Sequence, residues 1–133
     1  MARRLAPLVV IVTAAMASWS CGSTPQVSGD WSGGVRPNHL DILQIRLTQE
    51  GKTIRGTACY VIGNGVPPTV VFRDAAVTGS YPTIRVVASK GWIFEGEFQD
   101  DTLSGRYHTP TDPGGSAMDL ARGIGTVASC VAP

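Results

Sequence analysis

The strongest constraint on this chain's fold is a period of two. Residues 41–49 place Leu43, Ile45 and Leu47 on one face and Gln44, Arg46 and Thr48 on the other. That alternation defines a strand with one buried face. The pattern recurs along the chain. Residues 52–62 put Ile54, Gly56, Ala58 and Tyr60 inward, with Thr53, Arg55, Thr57 and Cys59 outward. Residues 83–89 turn Ile84, Val86 and Ala88 inward, and residues 92–99 turn Trp92, Phe94, Gly96 and Phe98 inward. Residues 102–108 do the same with Leu103, Gly105 and Tyr107, and residues 116–122 with Met118 and Leu120. Residues 70–80 alternate less cleanly, and Arg73-Asp74 marks the position of a bulge.

Short polar or glycine-bearing breaks separate these runs: Glu50-Gly51, Tyr81-Pro82, Lys90-Gly91 and Asp100-Asp101. Residues 63–68 and 109–115, each with two prolines, read as two longer loops. From residue 22 on, no stretch has helical periodicity. A faint repeat of apolar, polar, Gly, polar, apolar appears at residues 54–58, 77–81, 94–98 and 103–107. A mid-strand glycine lets a strand coil sharply. Eight short strands joined by tight turns, counting one that opens at Gly29, predict an all-β antiparallel up-and-down meander. Closure into a small barrel removes both edges.

The first twenty residues are of another kind. Arg3 and Arg4 precede an apolar run over residues 5–17, interrupted only by Thr13. The run has the length of a signal-peptide core and is short for a bilayer span. Two processing routes are open. Ala15-Met16-Ala17 is an A-x-A site whose cleavage releases a soluble secreted protein. Ser18-Trp19-Ser20-Cys21 resembles the lipobox of bacterial lipoproteins, in which the cysteine is lipidated and becomes the first mature residue. An uncleaved anchor is a third route.

Cysteine arithmetic favours the lipobox. With Cys21 lipidated, Cys59 and Cys130 remain as an even pair, suited to a disulfide in an oxidising compartment. The expected layout is a signal at residues 1–20, a tether at 21–28 and one barrel domain at 29–133. No acidic residue follows Cys21 directly. By resemblance to Gram-negative lipoproteins, this implies the outer membrane, with the barrel facing the periplasm.

Charge excludes one class of partner. The chain carries a formal net charge of +1, and loss of Arg3 and Arg4 leaves the remainder at −1. The charges are scattered, with no basic stripe, so no nucleic-acid partner is expected. His39 and His108 have no ligand neighbours at metal-binding spacing, and neither a metal nor a cofactor is expected. Glu95 and Glu97 lie about 6.5–7 Å apart along one strand face. That separation suits a carboxylate pair, but they alternate with Phe94 and Phe98 and so are expected to face solvent. No nucleophile elbow or phosphate loop is present, and an enzyme is not expected.

Gly29-Asp30-Trp31 resembles the G-x-W that opens the first strand of calycins, the group of lipocalins, avidins and fatty-acid-binding proteins. The resemblance implies that Trp31 plugs one barrel end and that Arg122, at the close of the last strand, packs across it. By alternation Tyr60, Phe94, Phe98 and Tyr107 line the interior, with Trp92 near a barrel mouth; an eight-stranded interior is either filled by such side chains or holds one small apolar or amphipathic ligand. The biotin motif of avidins is not visible. Some bacterial protease inhibitors are similar in barrel and opening tryptophan and bind through an N-terminal segment. The alternatives to ligand binding are therefore a protein-binding module of that kind or a structural envelope component.

Overall fold

A computed structural model describes residues 24–35, 41–63, 69–123 and 130. It is all-β. Eight antiparallel strands follow one another in chain order and close into a barrel. They are β1 (Gly29–Val35), β2 (Asp41–Glu50), β3 (Thr53–Ile62), β4 (Thr69–Ser80), β5 (Thr83–Val87), β6 (Ile93–Gln99), β7 (Thr102–Thr109) and β8 (Asp112–Arg122). β8 pairs back onto β1, with Trp31 opposite Arg122 and Gly33 opposite Leu120. One 3-10 turn, Ser89–Gly91, joins β5 to β6.

The alternation read from the sequence sets the inside and outside of the wall. Leu43, Ile45, Leu47, Ile54, Val86, Phe94, Leu103, Met118 and Leu120 are buried, while the outward Arg55, Arg85, Glu95 and Glu97 are exposed. The irregularity at Arg73-Asp74 is a bulge. Ala58 pairs with Ala75 and Tyr60 with Phe72, so Arg73 and Asp74 together oppose Cys59. The extra residue restores Phe72 to the inner face, where it is 8 % exposed.

Three boundaries depart from the sequence reading. Residues 109–115 are not a long loop: Thr109 belongs to β7, Pro110 and Thr111 make the turn, and β8 starts at Asp112 rather than at residue 116. The register slips there between Tyr107 and Thr109, which accommodates Pro113 and its missing N–H. Local hydrogen bonds hold the slip: the Gly115 N–H donates to Asp112 Oδ1 at 3.2 Å, and Arg106 Nη1 donates to the carbonyls of Gly114 and Gly115 at 3.1 and 3.2 Å. Second, Trp92 lies just before β6, and β5 ends at Val87. Third, the N-terminal edge of the packed structure lies before Gly29. Val27, expected in the tether, is 2 % exposed and part of the core. Cys21, His39 and the rest of the C-terminal segment around Cys130 lie outside the described residues.

Candidate functional site

The barrel has two ends. One carries the 50–53, 80–83 and 99–102 turns together with the start of β1 and the end of β8. Trp31 is fully buried there, its ring 5.0 Å from Phe98 in an edge-on contact. Arg122 Cζ stands 4.8 Å over the indole. The pairing follows from register, because Trp31 and Arg122 are direct partners across β1 and β8. Desolvated cation–π contacts of this kind contribute about 2 kcal/mol, and exposed ones about 0.5–1 kcal/mol.

The same residues bind the segment before β1. Trp31 Nε1 donates to the Val27 carbonyl at 2.8 Å. The Val27 N–H donates to Gln49 Oε1 at 2.8 Å, and Gln49 Nε2 donates to the Pro25 carbonyl at 3.1 Å. Arg122 donates to the carbonyls of Gln26 and Ser28 and pairs with Asp101 at 3.2 Å. Residues 25–28 are therefore tied to this end of the barrel by three side chains.

Among the described residues, the inward side chains pack against one another. One continuous cluster of buried side chains runs from Val27, Trp31 and Phe98 at this end, through Phe94, to Tyr60, Phe72 and Trp92 at the other. Of the five aromatic residues expected to line a cavity, Phe98 belongs to the Trp31 end and Phe94 to the middle, where it is fully buried. Tyr60, Trp92 and Tyr107 gather at the far end, joined by Phe72. The ring centroids are 4.8 Å apart for Phe72–Trp92, 5.3 Å for Tyr60–Trp92 and 5.3 Å for the stacked Trp92–Tyr107 pair. Rings at these separations touch one another. Burial, reinforced by the Asp41 carboxylate and by Tyr107, pushes the Tyr60 phenol well above its ordinary range.

The outer wall is dented where the glycine repeat crosses it. Gly96 and Gly105 are direct partners on β6 and β7, and Phe94 packs behind them. A Cβ on Gly105 would lie 2.1 Å from the Glu95 carbonyl oxygen and 2.8 Å from Phe94 Cζ. The strands can approach only because neither position carries a side chain. On the outside this leaves a shallow hollow of about 720 Å³, flanked by Thr78, Arg85, Glu95, Glu97, Ser104 and Arg106. Thr78, Arg85, Glu95 and Arg106 form one row across four strands. Arg85 and Glu95 pair at 3.4 Å, both well exposed. Three copies of the repeat thus send Val77, Phe94, Phe98 and Leu103 inward and turn Thr78, Glu95, Glu97, Ser104 and Arg106 toward the hollow. Among the described residues no group of three or more His, Cys, Asp or Glu side chains could hold a metal.

Cys59 and Cys130 are joined by a disulfide, with their Cα atoms 6.0 Å apart. It lies outside the barrel wall, where Cys130 and Val70 cover Cys59 and Val61. Gln44 is fully buried beside it. The alternation correctly placed Gln44 outward, but it carries no sign that Cys130 would cover that position. The one available clue was pairing: Gln44 is the cross-strand partner of Cys59.

No family model, no curated protein and no solved structure matches the chain. The fold defines a class: a closed, eight-stranded, up-and-down barrel whose described inward side chains form one continuous core.

Proposed function

We propose that this chain is a cell-envelope lipoprotein, acylated at Cys21, whose calycin-like barrel acts as a rigid protein-binding module through its outer surface. It is not an enzyme in this reading, and it needs no cofactor. The observation that carries the proposal is the continuous packing of the described inward side chains. The core runs from Val27 to Trp92, which weighs against a small ligand held inside. The tie on residues 25–28 weighs equally against a protease-inhibitor mode, since that mode uses a free N-terminal segment. What remains is the wall, and its hollow presents both charges and hydroxyls on a rigid frame.

A second reading keeps the small apolar ligand. It is favoured by the aromatic group at the far end, where Tyr107 is only partly buried against Trp92. Photo-crosslinking in intact cells separates the two. A crosslinking residue at Arg85 or Glu97 is expected to yield one discrete protein adduct, and the same residue at Thr48, on another part of the wall, is not. Stoichiometric uptake of an apolar fluorescent probe, abolished by Tyr107→Ala, together with no adduct at Arg85 or Glu97, would replace the first reading with the second.

A further inference from the structure

The tie on residues 25–28 sets which way the barrel faces. Cys21 precedes Pro25 by four residues. At ~3.6 Å per residue, the extended chain between them reaches at most about 14 Å. The Pro25 carbonyl is bonded to Gln49 beside the 50–53 turn, and the Lys52 carbonyl in that turn accepts the Tyr81 N–H at 2.8 Å. The anchor point therefore belongs to the Trp31 end.

The far end is much more distant. β2 and β3 have ten residues each. With a rise of ~3.3 Å and a tilt near 40°, they span roughly 25 Å of barrel height. A leash of about 14 Å cannot bring that end down to the bilayer. We propose, on the strength of the lipoprotein reading above, that the barrel stands on its Trp31 end, with the 50–53, 80–83 and 99–102 turns against the lipid headgroups and the Tyr60–Trp92 end directed away.

Charge does not supply this orientation. The turn region holds Glu50, Lys52, Asp100, Asp101 and Arg122, with acid in slight excess. A surface of that composition is not drawn to anionic lipid, so the covalent leash alone sets the pose. Phosphatidylcholine and phosphatidylglycerol vesicles should accordingly give the same result.

The chain carries its own reporters. Its two lysines are Lys52, in the 50–53 turn, and Lys90, in the 3-10 turn at the opposite end, and both are exposed. The experiment reconstitutes the processed protein in vesicles and modifies it with a bulky, membrane-impermeant amine reagent. Peptide mass spectrometry then reads each lysine, with unlipidated protein that begins at residue 22 as the reference. The expected result is Lys52 modified several-fold more slowly in the anchored protein, with Lys90 unchanged. Equal slowing of both lysines would mean a barrel lying on its side, and preferential slowing of Lys90 an inverted one; either overturns the orientation. A mature chain whose mass shows no lipid on Cys21 overturns the lipoprotein reading, and the orientation with it.

Discussion

Gln44 and Cys130 are 86 residues apart in sequence, yet Gln44 Oε1 accepts the Cys130 N–H at 3.0 Å on the outside of the barrel wall. The same oxygen lies 3.7 Å from both sulfurs of the disulfide. Gln44 Nε2 is buried without a partner among the described residues. A single amide oxygen thus receives the backbone where the C-terminal segment meets the wall. Gln44→Ala removes that acceptor and leaves a buried N–H unpaired, a loss of about 1–3 kcal/mol. Urea denaturation of the oxidised protein should show it as a lower midpoint with an unchanged slope.

The disulfide closes a loop with a sequence separation of 71. The loop-entropy relation gives roughly 4 kcal/mol for a closure of that size, and native disulfides of small secreted domains contribute about 2–5 kcal/mol. The Cys59→Ser, Cys130→Ser double variant should therefore lose most of the stability of a domain this small. Thermal melts with and without a thiol reductant check it: the wild-type protein should fall to the level of the variant, and the variant should not respond.

Gly105 and Gly114 lie near one another in sequence but should respond differently to alanine. The Gly105 Cβ would meet the Glu95 carbonyl and the Phe94 ring, both too close to accommodate. The nearest contact of a Gly114 Cβ is Asp112 Oδ1 at 4.0 Å. Gly105→Ala is expected to cost about 1–3 kcal/mol through overpacking and to shift the amide resonances of β6 and β7. Gly114→Ala should stay within about 0.5 kcal/mol of wild type. A neutral Gly105→Ala would mean that the dent is not enforced by the missing side chain.

The raised Tyr60 phenol predicts alkaline instability. The folded state holds Tyr60 neutral, while the unfolded chain releases the proton near pH 10. The unfolded state therefore binds fewer protons above that pH, and stability falls as pH rises further. Below pH 10 the group makes no pH-dependent contribution. Melting temperature measured from pH 8 to 12 should decline steeply above pH 10, and Tyr60→Phe should flatten that decline.

Much of this fold was legible because half-buried strands write their period directly into the sequence. Leu43, Ile45 and Leu47 needed nothing beyond alternation to be placed inside. Trp31 and Arg122 were legible as a contact only through the resemblance of Gly29-Asp30-Trp31 to the calycin opening. The unforeseen burial of Gln44 and Val27 has one cause: contacts with a segment remote in sequence. Gln44 is polar and outward, as its strand demands, and is buried only because Cys130 covers it. Val27 lies outside any alternating run, joins the core cluster, and is held through its backbone by hydrogen bonds with Trp31 and Gln49. Pro113 forbids a regular ladder, yet a bulge admits it to β8. The continuous packing of the inward side chains was equally out of reach. Period two says which residues point inward, not whether their volumes exhaust the space.

The meeting of β1 with β8 also has a consequence in time. The Ser32 hydroxyl donates to the Gly123 carbonyl across 91 residues, and the Gly123 N–H donates to Asp30 at 2.7 Å. No partial chain can make these bonds. A nascent or translocating polypeptide keeps β1 as an open edge until its last strand has been delivered, so the ring locks in a single late step. Ring closure is expected to wait for Arg122 and Gly123, so any holding factor must guard β1 until then, and the Cys59–Cys130 bond follows.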